Sequence, residues 1–220
     1  MSRSLESHGY ILVKHLTGKE NVSLQLVRSI STPDQCFVAK VFKVEASCLG
    51  KGELGPLQEI VLFKKLRHPN VVRYVQAWWS GSDLCKGELT LVMEHAEDGD
   101  LHTPKLAMLN SGSHLEQGLI LRWFRQILSA LSYIHGEKVV HRDLKTANIF
   151  LKDSWRTALL GDFGISAQLN AGDTFGASMM GTVPYMSPEI VRNETGTAAV
   201  DIWAVGVTLY ELMALRLPFT

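Results

Sequence analysis

One stretch of this 220-residue sequence restricts its fold and chemistry more than any other, the run His141-Arg142-Asp143-Leu144-Lys145-Thr146-Ala147-Asn148. It follows the apolar residues Val139 and Val140, which predict a short strand that ends in a loop. Asp162-Phe163-Gly164 and Ser187-Pro188-Glu189 come later in the chain. Each tripeptide alone is ordinary turn chemistry, but the ordered set supplies the groups that phosphoryl transfer needs.

The chemistry of the side chains in this set indicates a separate role for each of them. Asp143 offers a carboxylate that can accept the proton of a substrate hydroxyl, and Lys145 can neutralise charge on the transferred phosphoryl group. Asn148 and Asp162 offer amide and carboxylate oxygens, which are hard ligands suited to Mg²⁺. We therefore predict that Asp143 and Lys145 are catalytic and that Asn148 and Asp162 bind a metal ion.

A second charged pair precedes this loop in the sequence. Lys40 ends the apolar run Phe37-Val38-Ala39 on a predicted strand, and Glu59 lies on a helix that begins near Pro56. Either residue alone is most simply solvated. A Lys held by a carboxylate, however, presents its charge to phosphates in a fixed position, so the two predict a switchable ion pair.

The hydrophobic pattern changes from the period of strands to that of helices along the chain. Strands are predicted at residues 10–16, 22–27, 36–44, 71–79 and 89–94, with a polar hairpin loop at 80–88. Beyond residue 98 the period is helical, most clearly over 119–134. We predict an α+β, two-lobed fold, with a small antiparallel-sheet lobe at 1–97, a larger helical lobe at 98–220 and a ligand cleft between them.

Composition restricts the partners and the compartment. The 22 basic and 22 acidic residues cancel, which favours neither nucleic acid nor an anionic membrane as a partner. Cys36, Cys48 and Cys85 are odd in number and widely spaced, which indicates reduced thiols and a cytoplasmic or nuclear location. Residues 1–9 lack the apolar core of a secretory signal. Charged residues interrupt the apolar stretch 198–219, which predicts a buried helix rather than a membrane span.

Further wording of the sequence extends the motifs. The matching segments are Met93-Glu94 with Asp98-Gly99-Asp100-Leu101, Trp123-Phe124-x-Gln126-Ile127, HRDLKTANIFL at 141–151, LGDFGI at 160–165 and Gly181-Thr182 with PYMSPE at 184–189. Together they resemble the eukaryotic protein kinase superfamily, and most closely the NIMA-related (NEK) kinases. The resemblance runs from about Tyr10 to the last residue.

This resemblance implies an ATP- and Mg²⁺-dependent kinase that acts on Ser and Thr hydroxyls of proteins. It gives the catalytic and metal-binding roles to the six residues already named, from Lys40 to Asp162. It makes Met93 the gatekeeper and Glu94 to Ala96 the adenine-binding hinge. The remaining implied nucleotide contacts are Leu16, Gly18, Leu24, Ala39 and Phe150.

The resemblance also implies groups outside nucleotide binding. Lys145, with Thr182 placed beside Asp143, implies Ser/Thr specificity. The segment 162–189 is then the activation loop, and a phosphate on Ser178 can pair with Arg142 to order it. Thr174 is a second candidate for modification. Four aromatic residues match a hydrophobic spine joining the lobes, although a plain core explains them too: Phe63, Tyr74, His141 and Phe163.

Two glycine patterns depart from the expectation for a kinase. Thr17, Lys19 and Val22 occupy the three glycine positions of the phosphate-covering turn, with only Gly18 between them. Non-glycine residues at positive φ are strained and block close approach, so we expect weaker ATP binding or turnover. A literal GxGxxG occurs at 50–55, but it follows Lys40 and no acidic residue closes the next strand. A connector explains it better than a dinucleotide site.

The sequence stops at Leu217-Pro218-Phe219-Thr220, where kinase domains continue with further helices. We therefore expect a truncated helical lobe, from either a fragment or a shortened gene product, in which Glu189 lacks its Arg partner. An active protein Ser/Thr kinase is the favoured function. The alternative is a pseudokinase or regulatory scaffold with weak or no catalysis, and a dehydrogenase is a distant third. Substrate and oligomeric state are not predicted.

Overall fold

The chain is described by a computed structural model over residues 2–19, 21–45, 55–83, 86–164, 166–168 and 181–219. It forms two compact units, Met1–Lys65 with Arg73–His95, and Leu66–Val72 with Ala96–Thr220. The predicted division after residue 97 thus lies two residues beyond the observed one. The α+β class, with an antiparallel sheet followed by helices, is confirmed.

The first unit contains one five-stranded antiparallel sheet with the order β1-β2-β3-β5-β4. Its strands are Tyr10–Lys19 (β1), Val22–Ser29 (β2), Cys36–Glu45 (β3), Tyr74–Asp83 (β4) and Lys86–Glu94 (β5). Its helices are Ser2–Ser7 (α1) and Gly55–Lys65 (α2). On α2, Leu62 and Phe63 are buried together with Leu66 just beyond its end, because this spacing places them on adjoining faces of a helix.

Residues 2–7, which the sequence pattern left without structure, form the short helix α1 on the sheet. Leu5 is buried in a cluster that includes Tyr10, Val27, Ala39 and Val92. The indole N–H of Trp78 donates to Ser4 Oγ at 3.0 Å, which attaches the helix to β4. Apolar burial by Leu5 therefore outweighs the polar character of this segment.

The predicted hairpin loop at 80–88 is wrong, because β4 and β5 continue through most of it. Gly81 and Gly87 lie against the ring of Trp79, and a Cβ added at Gly87 would come within 2.5 Å of Trp79 Cζ2. These glycines allow close approach between a strand and an aromatic ring, a role that in sequence looks the same as a flexible loop.

The second unit is mainly helical, with two small two-stranded sheets, β6-β9 and β7-β8. Its helices are His102–Ser111 (α3), Gln117–Gly136 (α4), Pro188–Val191 (α5) and Ala199–Ala214 (α6). Its strands are Val139–Val140 (β6), Ile149–Lys152 (β7), Thr157–Leu160 (β8) and Ala167–Gln168 (β9). Single 3₁₀ turns occur at Thr146–Asn148 and Val183–Tyr185.

Helix α4 supplies much of the core of the second unit. Its buried residues follow the predicted helical period: Ile120, Trp123, Phe124, Ile127, Ala130, Leu131 and Ile134. The indole N–H of Trp123 donates to the carbonyl oxygen of Trp155 at 2.7 Å, so the buried polar atom of this ring is satisfied. Within the described residues, no helix has both the length and the apolar character needed to cross a bilayer.

The segment 66–72 joins the second unit although the sequence assigns it to the first lobe. Val72 N–H donates to the carbonyl oxygen of Leu160 at 2.8 Å, and Leu160 N–H donates to that of Asn70 at 2.8 Å. These bonds use backbone groups that the predicted strand at 71–79 would have paired within the first sheet. Strand β4 therefore begins at Tyr74 instead of Val71.

Candidate active site

The loop 141–148 is fixed by one carboxylate of helix α6. Asp201, which is 1% exposed, accepts the N–H of Arg142 on Oδ1 and the N–H of His141 on Oδ2, both at 2.9 Å. His135 Nε2 lies 2.8 Å from the same Oδ2. Arg142 has a φ of +68°, a conformation that costs a non-glycine residue about 1 to 3 kcal/mol. The bonds to Asp201 compensate for this strain and set the shape of the loop.

The ring of His141 connects the loop to the segment after β8. It is fully buried, with Nε2 2.9 Å from the carbonyl oxygen of Gly161 and an edge contact to Phe163 at 5.0 Å between ring centroids. Ser166 Oγ donates to the carbonyl oxygen of His141 at 3.2 Å. The loop and the Asp162-Phe163-Gly164 segment are therefore packed against each other within one unit.

Three predicted residues, Lys145, Asn148 and Thr182, meet around the carboxylate of Asp143. The hydroxyl of Thr182 donates to Oδ1 at 2.8 Å, and Lys145 Nζ donates to Oδ2 at 2.7 Å. Lys145 Nζ also donates to Thr182 Oγ1 at 2.6 Å. Asn148 Nδ2 donates to Asp143 Oδ2 at 3.0 Å and to its carbonyl oxygen at 2.7 Å. The carboxylate is thus held in one orientation, while its side chain stays 16% exposed.

The predicted metal ligands lie at one end of the β7-β8 hairpin. Asn148 directly precedes β7, and Asp162 follows shortly after β8. The first residue of β7, Ile149, is paired with the last residue of β8, Leu160. Gly161 N–H donates to the carbonyl oxygen of Asn148 at 3.0 Å. Both side-chain bonds of Asn148 use the amide nitrogen, which leaves its oxygen as the group suited to Mg²⁺.

The oxygen donors of Asn148 and Asp162 fit Mg²⁺ better than a metal ion that is coordinated by protein side chains alone. Mg²⁺ keeps several waters and uses one or two protein carboxylates together with substrate phosphates. In the part of the chain that the structure describes, no group of three or more His, Cys, Asp or Glu side chains could hold a metal ion. A carboxylate from Asp162 and an amide oxygen from Asn148 meet the smaller requirement of Mg²⁺.

Lys40 and Glu59 form an ion pair within the first unit. Lys40 Nζ lies 2.8 Å from Glu59 Oε1, and the two side chains are only 12% and 5% exposed. Lys40 on β3 is opposite Leu24 on β2, so the two side chains share a face of the sheet. Removal of one partner of a buried pair leaves an uncompensated charge, so each of these residues fixes the other.

The remaining predicted nucleotide contacts of the first unit are distributed over its strands. Ala39 is fully buried beside Val92, and Met93 is opposite Val38. Leu16 lies at an irregularity of β1 and is 39% exposed. The N–H of Glu94 donates to the carbonyl oxygen of Arg73 at 2.9 Å, which fixes the end of β5.

Ala96 and Phe150 belong to the second unit and are half-buried. A Cβ added at Gly161 would come within 2.8 Å of Phe150 Cε2 and of Val72 Cγ2. The glycine before Asp162 therefore makes room for the Phe150 ring.

Strands β1 and β2 are paired up to the turn that joins them. The two strands stay paired to their ends, with Gly18 opposite Ser23 and Lys19 opposite Val22. Val22 is not among the non-glycine residues with positive φ. A Cβ added at Gly18 would meet only the carbonyl oxygen of Val22, at 3.8 Å. Thr17, Lys19 and Val22 therefore lie in paired strands, and the expected effect on ATP binding stays a prediction.

Comparison with known proteins decides the family. The protein kinase domain matches residues 24–220 of the chain. The chain belongs to the protein kinase family. This kinase chain is 39% identical to human serine/threonine-protein kinase Nek5 over 162 residues, which are 74% of the chain and 22% of the human protein. Human Nek2 is 38% identical over 169 residues, which are 74% of the chain and 37% of that protein.

Mouse Nek5 extends the match to 194 residues at 34% identity, which is 88% of the kinase chain and 29% of the mouse protein. The resemblance to NEK kinases inferred from the motifs is confirmed by these relatives. The chain spans less than two fifths of the length of each of them.

The four aromatic residues matched to a kinase spine form two pairs, one in each unit. Phe63 and Tyr74 make an edge contact with ring centroids 6.4 Å apart in the first unit. His141 and Phe163 pair in the second. Each pair contributes to the core of its own unit.

Parts of the predicted activation loop lie outside the described residues. They include Ser178 and Thr174. The first five residues of the separate GxGxxG segment at 50–55 also lie outside the described residues. Arg142, the predicted phosphate partner, is described. Burial lowers the pKa of its guanidinium, and the Asp201 carboxylate opposes this by raising it.

Three buried charged residues near the candidate site were not predicted from the sequence. Asp201 and Glu211 were noted only as charges that interrupt an apolar stretch, yet both are buried, at 1% and 2% exposure. Lys105 of α3, 9% exposed, was not noted at all. An acidic residue in an otherwise apolar helix costs free energy unless it is paired, and this signal identifies such residues before a structure is known.

Proposed function

We propose that this kinase chain transfers the γ-phosphoryl group of ATP to Ser or Thr hydroxyls of proteins. The supporting observation is the carboxylate of Asp143, bound on one oxygen by Lys145 and Asn148 and on the other by the Thr182 hydroxyl. A carboxylate held in one orientation can accept a proton from a hydroxyl that approaches its exposed side. The Thr182 hydroxyl already makes such a contact, and a substrate hydroxyl would donate in the same way.

The other site residues have roles that follow from their charges or from their oxygen donor atoms. Lys145 is 2.7 Å from Asp143 Oδ2 and brings a positive charge to the place where the phosphoryl group accepts the hydroxyl oxygen. Asn148 and Asp162 would hold Mg²⁺, and Lys40, fixed by Glu59, would hold phosphate oxygens. When bound, Mg²⁺-ATP supplies the phosphoryl group and neutralises its negative charge.

A second candidate is a pseudokinase that binds partners without efficient catalysis. The turn between β1 and β2 favours it, because three of the positions at which kinases use glycine carry other residues. Strand pairing continues to Lys19 and Val22, and Gly18 is the one glycine of residues 17–22. The two candidates differ in one measurable property, the transfer of phosphate to a hydroxyl.

Transfer of labelled phosphate from ATP to a mixture of Ser- and Thr-containing peptides tests the proposal. We expect Asp162→Asn to lower the rate about a hundredfold or more, because a neutral amide binds Mg²⁺ weakly. The chain with Asp162 intact must exceed this control. Equal rates from both proteins, with nucleotide binding retained, would support the pseudokinase.

Ser178 is proposed as a regulatory phosphorylation site, on the basis of its position before Gly181-Thr182. Its phosphate would pair with Arg142 and order the loop, so Ser178→Ala is expected to lower peptide phosphorylation about tenfold. Thr174→Ala tests the second candidate, and it should leave the rate within about twofold if Ser178 is the regulatory site. Mass spectrometry should find phosphate on Ser178, and unchanged activity of Ser178→Ala would reject the assignment.

A further inference from the structure

A buried ion pair lies close to the candidate site but is not part of it. Lys105 Nζ on α3 is 2.6 Å from Glu211 Oε1 on α6, and the two side chains are only 11% and 3% exposed. The pair joins two helices that are 106 residues apart in sequence at this contact. Removal of the lysine would leave the glutamate charge buried without compensation, so Lys105 determines whether this carboxylate can be accommodated.

The second carboxylate oxygen of Glu211, Oε2, accepts a hydrogen bond from a tyrosine. Tyr185 O–H donates to Glu211 Oε2 at 2.5 Å and lies 3.5 Å from Thr146 Oγ1. Burial raises the pKa of the Tyr185 phenol well above its usual range, and the hydrogen bond to Glu211 adds to this effect. Tyr185 therefore stays a hydrogen-bond donor throughout the physiological pH range.

Tyr185 is rigidly connected to the hydroxyl that contacts Asp143. Its backbone N–H donates to the carbonyl oxygen of Thr182 at 2.9 Å, within the turn Val183–Tyr185. Thr182 Oγ1 is in turn 2.8 Å from Asp143 Oδ1 and 2.6 Å from Lys145 Nζ. A continuous path of short contacts thus runs from Lys105 to the carboxylate at the centre of the site.

We propose that Lys105 is a positioning residue for phosphoryl transfer, which acts through Glu211 and Tyr185 on the placement of Thr182 beside Asp143. The inference rests on the proposed kinase function. Lys105 touches neither substrate nor nucleotide in this proposal. Its charge keeps the carboxylate of Glu211 in place, and this carboxylate anchors the turn that carries Thr182.

A double-mutant cycle between Lys105 and Tyr185 separates this role from plain stabilisation. Lys105→Met and Tyr185→Phe should each lower kcat for peptide phosphorylation about tenfold, with KM for ATP changed less than about twofold. In the Tyr185→Phe background, Lys105→Met should lower kcat by less than about twofold more, because the path is already broken. Equal losses in both backgrounds would overturn the proposal.

Matched variants distinguish the loss of the positioning role from a general loss of folding. Lys105→Arg keeps the charge and should retain about half or more of the parent kcat. Lys43→Met makes the same chemical change at an exposed lysine of β3 and should leave kcat unaltered. If Lys105→Met does not fold, Tyr185→Phe decides, since it removes a single oxygen; parental kcat in that variant would contradict the proposal.

A measurement without catalysis distinguishes failure of this inference from failure of the proposed function. The methyl resonance of Thr182 in threonine-labelled protein reports on its placement. Lys105→Met should shift it in the parent background and leave it unshifted when Tyr185 is Phe. A parent with no phosphate transfer would reject the proposed function, and the same methyl comparison would still decide whether Lys105 positions Thr182.

Discussion

Replacement of Asp201 by Ala is expected to lower the free energy of unfolding by about 3 to 5 kcal/mol. The carboxylate accepts the backbone N–H groups of His141 and Arg142, at 2.9 Å each, and lies 2.8 Å from His135 Nε2. Each buried donor left without an acceptor costs about 1 to 3 kcal/mol, and Ala offers no acceptor. Arg142 would also lose the bond that holds it at positive φ. Thermal unfolding should show the midpoint about 10 °C lower.

The matched control lies on the same helix. Thr208 is fully buried, and its hydroxyl donates only to the carbonyl oxygen of Ala204, one turn earlier, at 2.8 Å. Thr208→Val keeps the shape and should cost less than about 1 kcal/mol, because that carbonyl oxygen still accepts its helical bond. Asp201→Ala should further lower phosphate transfer at least about a hundredfold, since the loop that carries Asp143 loses its shape. Equal stability of the two variants would show that Asp201 does not determine the loop.

The parts predicted correctly from sequence are those determined by local spacing. Asp143, Lys145 and Asn148 lie within six positions of one another, so one turn of the loop brings them together. Helix α4 follows from its apolar period, and the strands of the first sheet follow from alternation. The Lys40–Glu59 pair was inferred from the motif set, and the structure places its charged atoms 2.8 Å apart.

The parts not predicted depend on packing between distant segments. His141 and Asp201 are 60 residues apart in sequence, and Lys105 and Glu211 are 106 apart. The sequence shows that an acid in an apolar helix needs a partner, but it does not show which one. The prediction of a loop at 80–88 was wrong for a related reason. The contact of Gly87 with the Trp79 ring exists only once the strands are paired. Local propensity and tertiary packing give different answers at such positions.

Replacement of Asp143 by Asn is expected to lower kcat for peptide phosphorylation about a hundredfold to ten-thousandfold, the usual contribution of a general base. The surrounding bonds can survive the change. With its oxygen at the position of Oδ2, the introduced amide would still accept from Lys145 and Asn148, and its nitrogen would donate to Thr182 Oγ1. Shape and packing are retained, whereas the proton acceptor is lost, so nucleotide affinity should stay within about twofold.

Thr182→Val separates the carboxylate from its neighbour. This variant removes the hydroxyl that donates to Asp143 Oδ1 and accepts from Lys145 Nζ, but it leaves the carboxylate of Asp143 in place. Its loss in kcat should therefore be about tenfold, well below that of Asp143→Asn. The ratio of the two losses is the decisive quantity, because it compares a misplaced base with an absent one. If Asp143→Asn retained more than about a tenth of the parent kcat, another group would have to act as the base. This result would remove the central support for the proposed function.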